Sequence, residues 1–149
     1  MRTVIQRVSH ASVTIDSKVI SSIGTGLLVL VGIGDDDTRE DIDWLVRKIA
    51  AMRIFDDSEG VMNLSVTDVD GEVLVVSQFT LMASCRKGNR PSYIKAAAPG
   101  FSIPMYEMFC KSMSDAIGKP VATGEFGADM KVELLNDGPV TIVLDSKNR

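Results

Sequence analysis

The stretch Val73-Leu74-Val75-Val76-Ser77-Gln78-Phe79-Thr80-Leu81 decides how this chain folds, because it passes directly from apolar residues into polar ones. Its first four residues are apolar and rich in β-branched side chains, which is typical of a strand covered on both faces. Ser77, Gln78 and Thr80 then place two hydroxyls and an amide at the end of that strand, where they need hydrogen-bond partners. The segment by itself fits a strand that turns polar on leaving the core, or a preorganised site.

Further strands are predicted before and after this stretch. Residues 27–33 form another apolar run and predict a second central strand. Residues 4–8 and residues 11–15 predict two N-terminal strands, the second with one wet face because its apolar residues alternate with polar ones. The single histidine, His10, falls in the turn expected between them.

Three helices are predicted between the strands. Asp37 is the expected N-cap of an amphipathic helix that runs to about Arg53. Pro91 suits the first turn of a short helix through Ala98, and Ser102 is the expected N-cap of a second long helix. The element order predicts an α+β fold, a mixed α/β layered sandwich in one compact domain over residues 1–149, with mixed sheets flanked by helices.

Composition narrows the class of protein. With 45% hydrophobic and 24% charged residues the chain has ordinary globular composition, and no apolar run approaches the length of a membrane span. Cys85 and Cys110 are too few for a disulfide framework, so we expect a reduced, cytoplasmic protein with no membrane association. The net charge of −4 argues against bulk capture of nucleic acid, although a local basic face is enough for binding.

The motifs that are missing limit the chemistry. The chain has no Gly-x-Ser-x-Gly elbow, phosphate-binding loop, dinucleotide fingerprint or zinc-ligand cluster, and nothing places His10 beside a nucleophile. An enzyme of this sequence is expected to work without a metal, without another cofactor and without a histidine base. Catalysis would then depend on positioned hydroxyl, amide and backbone N–H groups.

Gly138-Pro139 is the second informative feature. Glycine tolerates backbone angles that other residues avoid, and a peptide bond before proline adopts the cis form at modest cost. The pair precedes an apolar strand, so it fits an ordinary turn, or a rigid backbone segment that presents a carbonyl for recognition.

Four segments together resemble the D-aminoacyl-tRNA deacylases, also known as D-tyrosyl-tRNA(Tyr) deacylases, over essentially the whole chain. These are Ser77-Gln78-Phe79-Thr80-Leu81, Gly88-Asn89-Arg90-Pro91-Ser92, Asn136-Asp137-Gly138-Pro139-Val140-Thr141 and the opening Met1-Arg2-Thr3-Val4-Ile5-Gln6-Arg7-Val8. Each motif is weak alone, but the four occur in order and at the family's spacing.

The resemblance implies a homodimeric, cytoplasmic hydrolase that cleaves the ester between a D-amino acid and the 3′ end of tRNA. It implies catalytic roles for Ser77, Gln78, Phe79 and Thr80, which line the family's pocket. It also implies that a cis Gly138-Pro139 of one subunit enters the partner's site and rejects L-amino acids, with Arg7 holding the dipeptide in orientation.

Further expectations follow from that role. Because glycine has no handedness, mischarged glycyl-tRNA is an expected substrate, and the basic residues Arg86, Lys87 and Arg90 are expected to contact the acceptor stem. Three other readings stay open: an editing deacylase with relaxed chirality, a hydrolase of small esters, and a non-enzymatic tRNA- or protein-binding module.

Overall fold

The computed structural model describes residues 1–149 as one six-stranded sheet, a small hairpin and two helices. In chain order the elements are β1 Arg2–Ile15, β2 Lys18–Ile23, β3 Gly26–Gly32, α1 Arg39–Ala51, β4 Phe55–Asp56, β5 Met62–Leu64, β6 Glu72–Ser77, a short 3-10 turn at Phe79–Met82, α2 Pro99–Ile117, β7 Ala122–Thr123 and β8 Lys131–Asp145. The predicted α+β class with a mixed sheet is confirmed.

The long strand β1 organises the sheet. One edge of β1 pairs antiparallel with β2 and then with β3, and the other edge pairs antiparallel with β8. Strand β3 continues the sheet by parallel pairing with β6, and β6 pairs parallel with β7. The parallel centre explains the unbroken apolar runs of β3 and β6, because both faces of these strands are covered.

The four apolar residues of β6 alternate between two hydrophobic cores. Val73 and Val75 join the larger core, to which α1 and α2 contribute the side chains of their buried faces. Leu74 and Val76 join a smaller core formed by strands alone. Both helices therefore cover one face of the sheet. Neither helix is long and apolar enough to cross a membrane.

The prediction of a turn at His10 is wrong. Residues 2–15 form one strand, and His10 lies within it, exposed and opposite Leu135 of β8. The pairing of β1 with β8 shifts register on both sides of Val8, so the irregular stretch is absorbed as a bulge. A bulge lets a strand bend without ending it.

The two helix starts also differ from expectation. Thr38, rather than Asp37, is the N-cap of α1, and it forms a capping box with Asp41. Asp37 instead accepts a hydrogen bond from the Gly34 N–H at 2.7 Å and pairs with the Met1 ammonium group.

The short helix expected from Pro91 to Ala98 does not form. This segment is irregular, and it is tied to the sheet by the Ala97 N–H, which donates to the Ile33 carbonyl at 2.9 Å. Helix α2 begins at Pro99 with Ala98 as its N-cap, one turn earlier than predicted, and Ser102 lies inside it. Pro99 takes the first helical position, where its missing N–H costs nothing.

Candidate active site

A cleft of about 530 Å³ opens at the carboxyl ends of the parallel strands β3 and β6. Ser77, Gln78 and Phe79 line one side of it. The remaining lining is mainly apolar and includes Val31, Ile33, Val76, Phe126, Met130 and Val132. An apolar cleft with a few polar groups at one side is the usual form of a small-molecule site. Thr80, the fourth residue of the motif, does not line the cleft.

The turn after β6 is held from several sides. The Gln78 N–H donates to the Val31 carbonyl of β3 at 2.7 Å, and the Leu81 N–H closes the 3-10 turn onto the Gln78 carbonyl at 3.2 Å. The Arg2 guanidinium donates to the Leu81 carbonyl at 2.7 Å. The first N–H group that bonds within the turn is that of Leu81. The N–H groups of Phe79 and Thr80 come before it in the chain and therefore have no acceptor inside the turn.

Gly32 allows this turn to lie close to β3. A Cβ at residue 32 would stand 2.9 Å from the Leu81 Cβ and 3.1 Å from the Gln78 carbonyl oxygen. Any larger residue would therefore displace the turn that carries Gln78, Phe79 and Thr80.

The hydrogen bond of the Thr80 hydroxyl bears on whether this residue can act as a nucleophile. The Gln78 amide Nε2 donates to the Thr80 Oγ1 at 2.5 Å. An amide N–H cannot remove a proton, so this contact orients the threonine hydroxyl without activating it as a nucleophile.

Two titratable groups, the buried Tyr106 and the partly buried Cys110, lie behind the cleft, and one exposed carboxylate, Asp129, lines it. Burial raises the pKa of the Tyr106 hydroxyl, which donates to the Val75 carbonyl at 2.7 Å. Burial also raises the pKa of the nearby Cys110 thiol to about 11. Asp129 lines the cleft, and its carboxylate pairs with the Lys131 ammonium at 3.2 Å. No group of three or more His, Cys, Asp or Glu side chains is arranged to hold a metal ion.

The second motif forms a bulge in β8. Gln6 and Val8 of β1 pair with Thr141 and Asn136, so four residues of β8 stand opposite the single residue Arg7. Residues 137–140, here called the β8 bulge, contain Gly138-Pro139, whose peptide bond is cis. The predicted turn at this position is therefore an excursion within one long strand.

Arg7 holds the β8 bulge from the inside. Its side chain is buried, its Nε donates to the Asp137 carbonyl at 3.0 Å and its Nη1 donates to the Ile54 carbonyl at 2.7 Å. The Asn136 amide donates to the Arg7 and Val140 carbonyls, both at 3.0 Å, and so closes the base of the bulge.

The backbone of the β8 bulge requires glycine at its centre. Gly138 has φ +130°, a conformation that side-chain-bearing residues rarely adopt. An added Cβ would lie 2.8 Å from the Val140 Cγ2 and 3.0 Å from the Arg7 Nη2. Gly138 and Pro139 are both exposed, and neither lines the cleft of its own chain.

An exposed loop follows the 3-10 turn in the chain and carries Arg86, Lys87 and Arg90. Ser84 and Ser92 close this basic loop, residues 85–91, through two backbone hydrogen bonds of 2.9 and 2.8 Å. Immediately after it, the Tyr93 ring packs edge-on against Phe79, with ring centroids 5.1 Å apart.

Sequence reasoning missed Tyr93 and the cleft residues of 126–132. The position of Tyr93 directly after a basic loop is a signal that was available in the sequence. Phe126, Met130 and Val132 gave no comparable signal. Only the tertiary structure brings the segment before β8 and the start of β8 to the same cleft as the end of β6.

Solved structures share this fold. The chain is similar to the structure named c-Myc DNA Unwinding Element Binding Protein, with 41% identity, a TM-score of 0.93, and 97% of this chain and 98% of that chain covered. A probable eukaryotic D-amino acid tRNA deacylase, 19% identical with a TM-score of 0.82 over 96% of this chain and 97% of that chain, shows the same fold.

Curated relatives match the chain over its full length. The D-aminoacyl-tRNA deacylases of Bacteroides fragilis and Flavobacterium johnsoniae are 67% and 68% identical to it, over all of this chain and 99% of each relative. The family model described as D-Tyr-tRNA(Tyr) deacylase matches residues 4–145. With the motif segments at the cleft and at the β8 bulge, these matches establish that the chain belongs to the D-Tyr-tRNA(Tyr) deacylase family.

Proposed function

We propose that this protein hydrolyses the ester bond of D-aminoacyl-tRNA and releases the free D-amino acid and tRNA. The observation that carries the proposal is the turn at Gln78–Thr80. Gln78 and Phe79 of this turn line an apolar cleft, and the N–H groups of Phe79 and Thr80 have no acceptor inside the turn. The chain is also 67% identical over its full length to a D-aminoacyl-tRNA deacylase. An aminoacyl ester is already activated, so stabilising the oxyanion and positioning a water molecule are sufficient catalysis.

The N–H groups of Phe79 and Thr80 are the proposed oxyanion donors. Water attacks the ester carbonyl carbon, and the carbonyl oxygen gains negative charge facing these donors. Collapse of the intermediate breaks the bond to the ribose 3′-oxygen, which leaves with a proton. The neighbouring 2′-hydroxyl of the terminal ribose is the proposed proton relay: it gives its proton to the 3′-oxygen and takes up the proton that the attacking water loses. A 2′-deoxy terminal adenosine is therefore expected to slow the reaction. Unchanged cleavage of the 2′-deoxy substrate would remove the ribose from the mechanism.

Gly138-Pro139 is the proposed chiral filter, acting on the partner's cleft. Its support is its position: the β8 bulge is exposed, is held by the buried Arg7, and does not line the cleft of its own chain. A backbone wall that clashes with one hand of the substrate rejects L-amino acids whatever their side chain. Because glycine has no side chain to clash, mischarged glycyl-tRNA is a proposed second substrate.

This role requires a homodimer with its sites at the interface. The exposure of β8 supports such an assembly, because no residue of the strand is buried, and Leu135 and Val143 are 54% and 61% exposed. Exposed apolar residues along a strand are typical of an interaction surface. Sedimentation equilibrium of the full chain tests this, since a monomer at micromolar concentration would contradict it.

The deciding experiment compares hydrolysis of D-tyrosyl-tRNA, L-tyrosyl-tRNA and glycyl-tRNA. We expect rapid loss of the D-ester and the glycyl ester, with the L-ester spared. Cleavage of both hands would indicate an editing deacylase with relaxed chirality. We place the reaction in the cytoplasm, where aminoacyl-tRNA is found.

A non-enzymatic nucleic-acid-binding module is the second candidate. One observation favours it: a solved structure with 41% identity is named for binding a DNA unwinding element. If dimeric protein binds tRNA or DNA but cleaves neither tyrosyl ester, the binding role replaces the catalytic one. A small-ester hydrolase would instead cleave free D-amino acid esters as efficiently as charged tRNA.

A further inference from the structure

The chain exposes an aromatic pair where the cleft meets the basic loop. Phe79 is 55% exposed and Tyr93 is 39% exposed, whereas the rings of Tyr106 and Phe109 are buried. The two exposed rings meet edge to face at 73°, which is a favourable aromatic geometry. Phe79 lines the cleft and Tyr93 does not, so the pair leads outward from the cleft.

The Tyr93 backbone is fixed on both sides. Before it, Ser92 is paired with Ser84 by two backbone hydrogen bonds. After it, the Tyr93 carbonyl accepts a bond from the Ala96 N–H at 2.9 Å, and the Ala97 N–H is bound to the Ile33 carbonyl just after β3. A rigid aromatic ring loses little conformational entropy when a ligand stacks on it.

The charged residues next to the aromatic pair in the chain indicate which class of ligand it binds. Arg86, Lys87 and Arg90 precede Tyr93 on the closed loop, and the exposed Lys95 follows it. Exposed aromatic rings next to a basic segment are the combination by which proteins bind single-stranded nucleic acid, with bases stacked on rings and phosphates beside cations. The cleft is the proposed place of the aminoacylated terminal adenosine, so the nucleotide next to it reaches the rim.

We propose that Phe79 and Tyr93 form a stacking platform for the base of the penultimate nucleotide at the 3′ end of tRNA. The platform rests on the proposed deacylase function and adds a binding contact outside the reacting centre. Stacking of a base on an exposed aromatic ring predicts that removing this base lowers kcat/KM by about 5- to 150-fold.

The test compares two D-tyrosyl esters, one of the trinucleotide CCA and one of the same trinucleotide with an abasic penultimate position. Because both carry the same phosphates, the ratio of their kcat/KM values measures the base alone. We expect a ratio within about 5 to 150 for the natural chain. Tyr93→Ala should reduce the ratio towards one, whereas Tyr93→Phe should keep it. Ile94→Ala, which truncates an 83% exposed aliphatic neighbour, is the matched control and should also keep the ratio.

The outcomes separate this proposal from the one it rests on. Cleavage of D-tyrosyl-tRNA with a ratio of one, or a ratio that Tyr93→Ala leaves unchanged, rejects the platform alone. Dissociation of a Tyr93→Ala dimer into monomers also rejects it, because the ring pair would then be a subunit contact. If the natural chain cleaves neither D-tyrosyl-tRNA nor the trinucleotide esters, both proposals fail.

Discussion

The turn at residues 77–80 and the β8 bulge at residues 137–140 are built in opposite ways. The turn is tied into its own chain: β3, Arg2 and its own backbone hold it against a cleft that it lines. The β8 bulge is fixed at its base by Arg7 and Asn136, while Gly138 and Pro139 are exposed to solvent. A single chain therefore completes the first region and presents the second outward.

The difference shows how rigidity and exposure can be combined in one chain. A buried guanidinium bonded to two carbonyls fixes a backbone segment without covering it. Such a segment can meet a ligand or a second subunit with little loss of conformational entropy. Five substitution experiments test whether the two regions act as separate halves of one site.

Arg7→Ala is expected to have the largest effect, because it removes the support of the β8 bulge. Loss of two charged hydrogen bonds from a buried side chain, with the Ile54 carbonyl left unpaired, should lower the free energy of unfolding by about 2–4 kcal/mol. The rate of deacylation should fall at least about 100-fold, because the unsupported β8 bulge would shift and a small shift of a group that positions the substrate lowers the rate strongly. Urea denaturation and single-turnover assays measure both. The control is Arg39→Ala, which removes an exposed helix pair with Asp43 and a long, exposed hydrogen bond of 3.5 Å to the Ser112 hydroxyl. An equal effect there would contradict the role of Arg7.

Gly32→Ala tests the other region, the turn at residues 77–80. Its Cβ would press on Leu81 and Gln78 and displace the turn, so we expect a loss of about 100-fold in kcat. Overpacking of this kind typically lowers the free energy of unfolding by about 1–3 kcal/mol. Gly100→Ala is the matched control, since no atom lies within 4 Å of its added Cβ. Full activity of Gly32→Ala would show that the turn need not lie close to β3.

Mixing two inactive variants tests whether the halves come from different subunits. Gly138→Ala distorts the bulge and Gly32→Ala distorts the turn, so each homodimer should be inactive. If the bulge acts on the partner's cleft, each mixed dimer regains one complete site. Random mixing then restores about a quarter of the natural activity, because half of the dimers are mixed. No recovery after exchange of subunits, followed by mass spectrometry, would place both halves in one chain.

Charge reversal on the basic loop should act on binding and leave both halves of the site intact. Replacing Arg86, Lys87 and Arg90 by Glu removes cations that face solvent, so KM for charged tRNA should rise about tenfold. Replacing them by Gln should flatten the plot of log affinity against log salt by about one unit for each phosphate that the loop no longer neutralises. Filter binding at several salt concentrations measures this. A slope that does not change would exclude phosphate contacts for the loop.

Thr80→Ala is expected to have the smallest effect. The threonine hydroxyl only accepts a hydrogen bond from Gln78, so its loss should lower kcat less than about tenfold. Because the proposed donor is the Thr80 backbone N–H, the substitution leaves it in place. A loss of about 1,000-fold or more, measured by single turnover, would instead make Thr80 the nucleophile.

The parts of the fold that were predicted correctly are those whose signal is local. The apolar runs of β3 and β6 and the helical spacing of Ile42, Leu45 and Ile49 follow from burial on both faces or on one face. Such patterns can be read from a few neighbouring residues.

The errors occur where distant contacts override local preference. His10 lies in a strand because β8 pairs with β1 through a bulge. Residues 91–98 form no helix because their backbone groups bond to residue 33, just after β3, and to residue 84. Local propensity favoured a turn and a helix there, but it is the weaker term.

The sequence by itself determined the classes of residue available for the site: a polar segment after an apolar strand, a Gly-Pro pair, a basic loop and no base beside a nucleophile. The tertiary structure alone decided how they are arranged. It placed Arg7 beneath residues that lie 130 positions away in the chain, brought residues 126–132 across the cleft from Ser77, and set Tyr93 against Phe79. The composition of a segment and the spacing of its residues indicate what that segment can bury or bind by itself. The free energy of contacts between distant segments depends on the packing of the whole sheet and determines which segments meet.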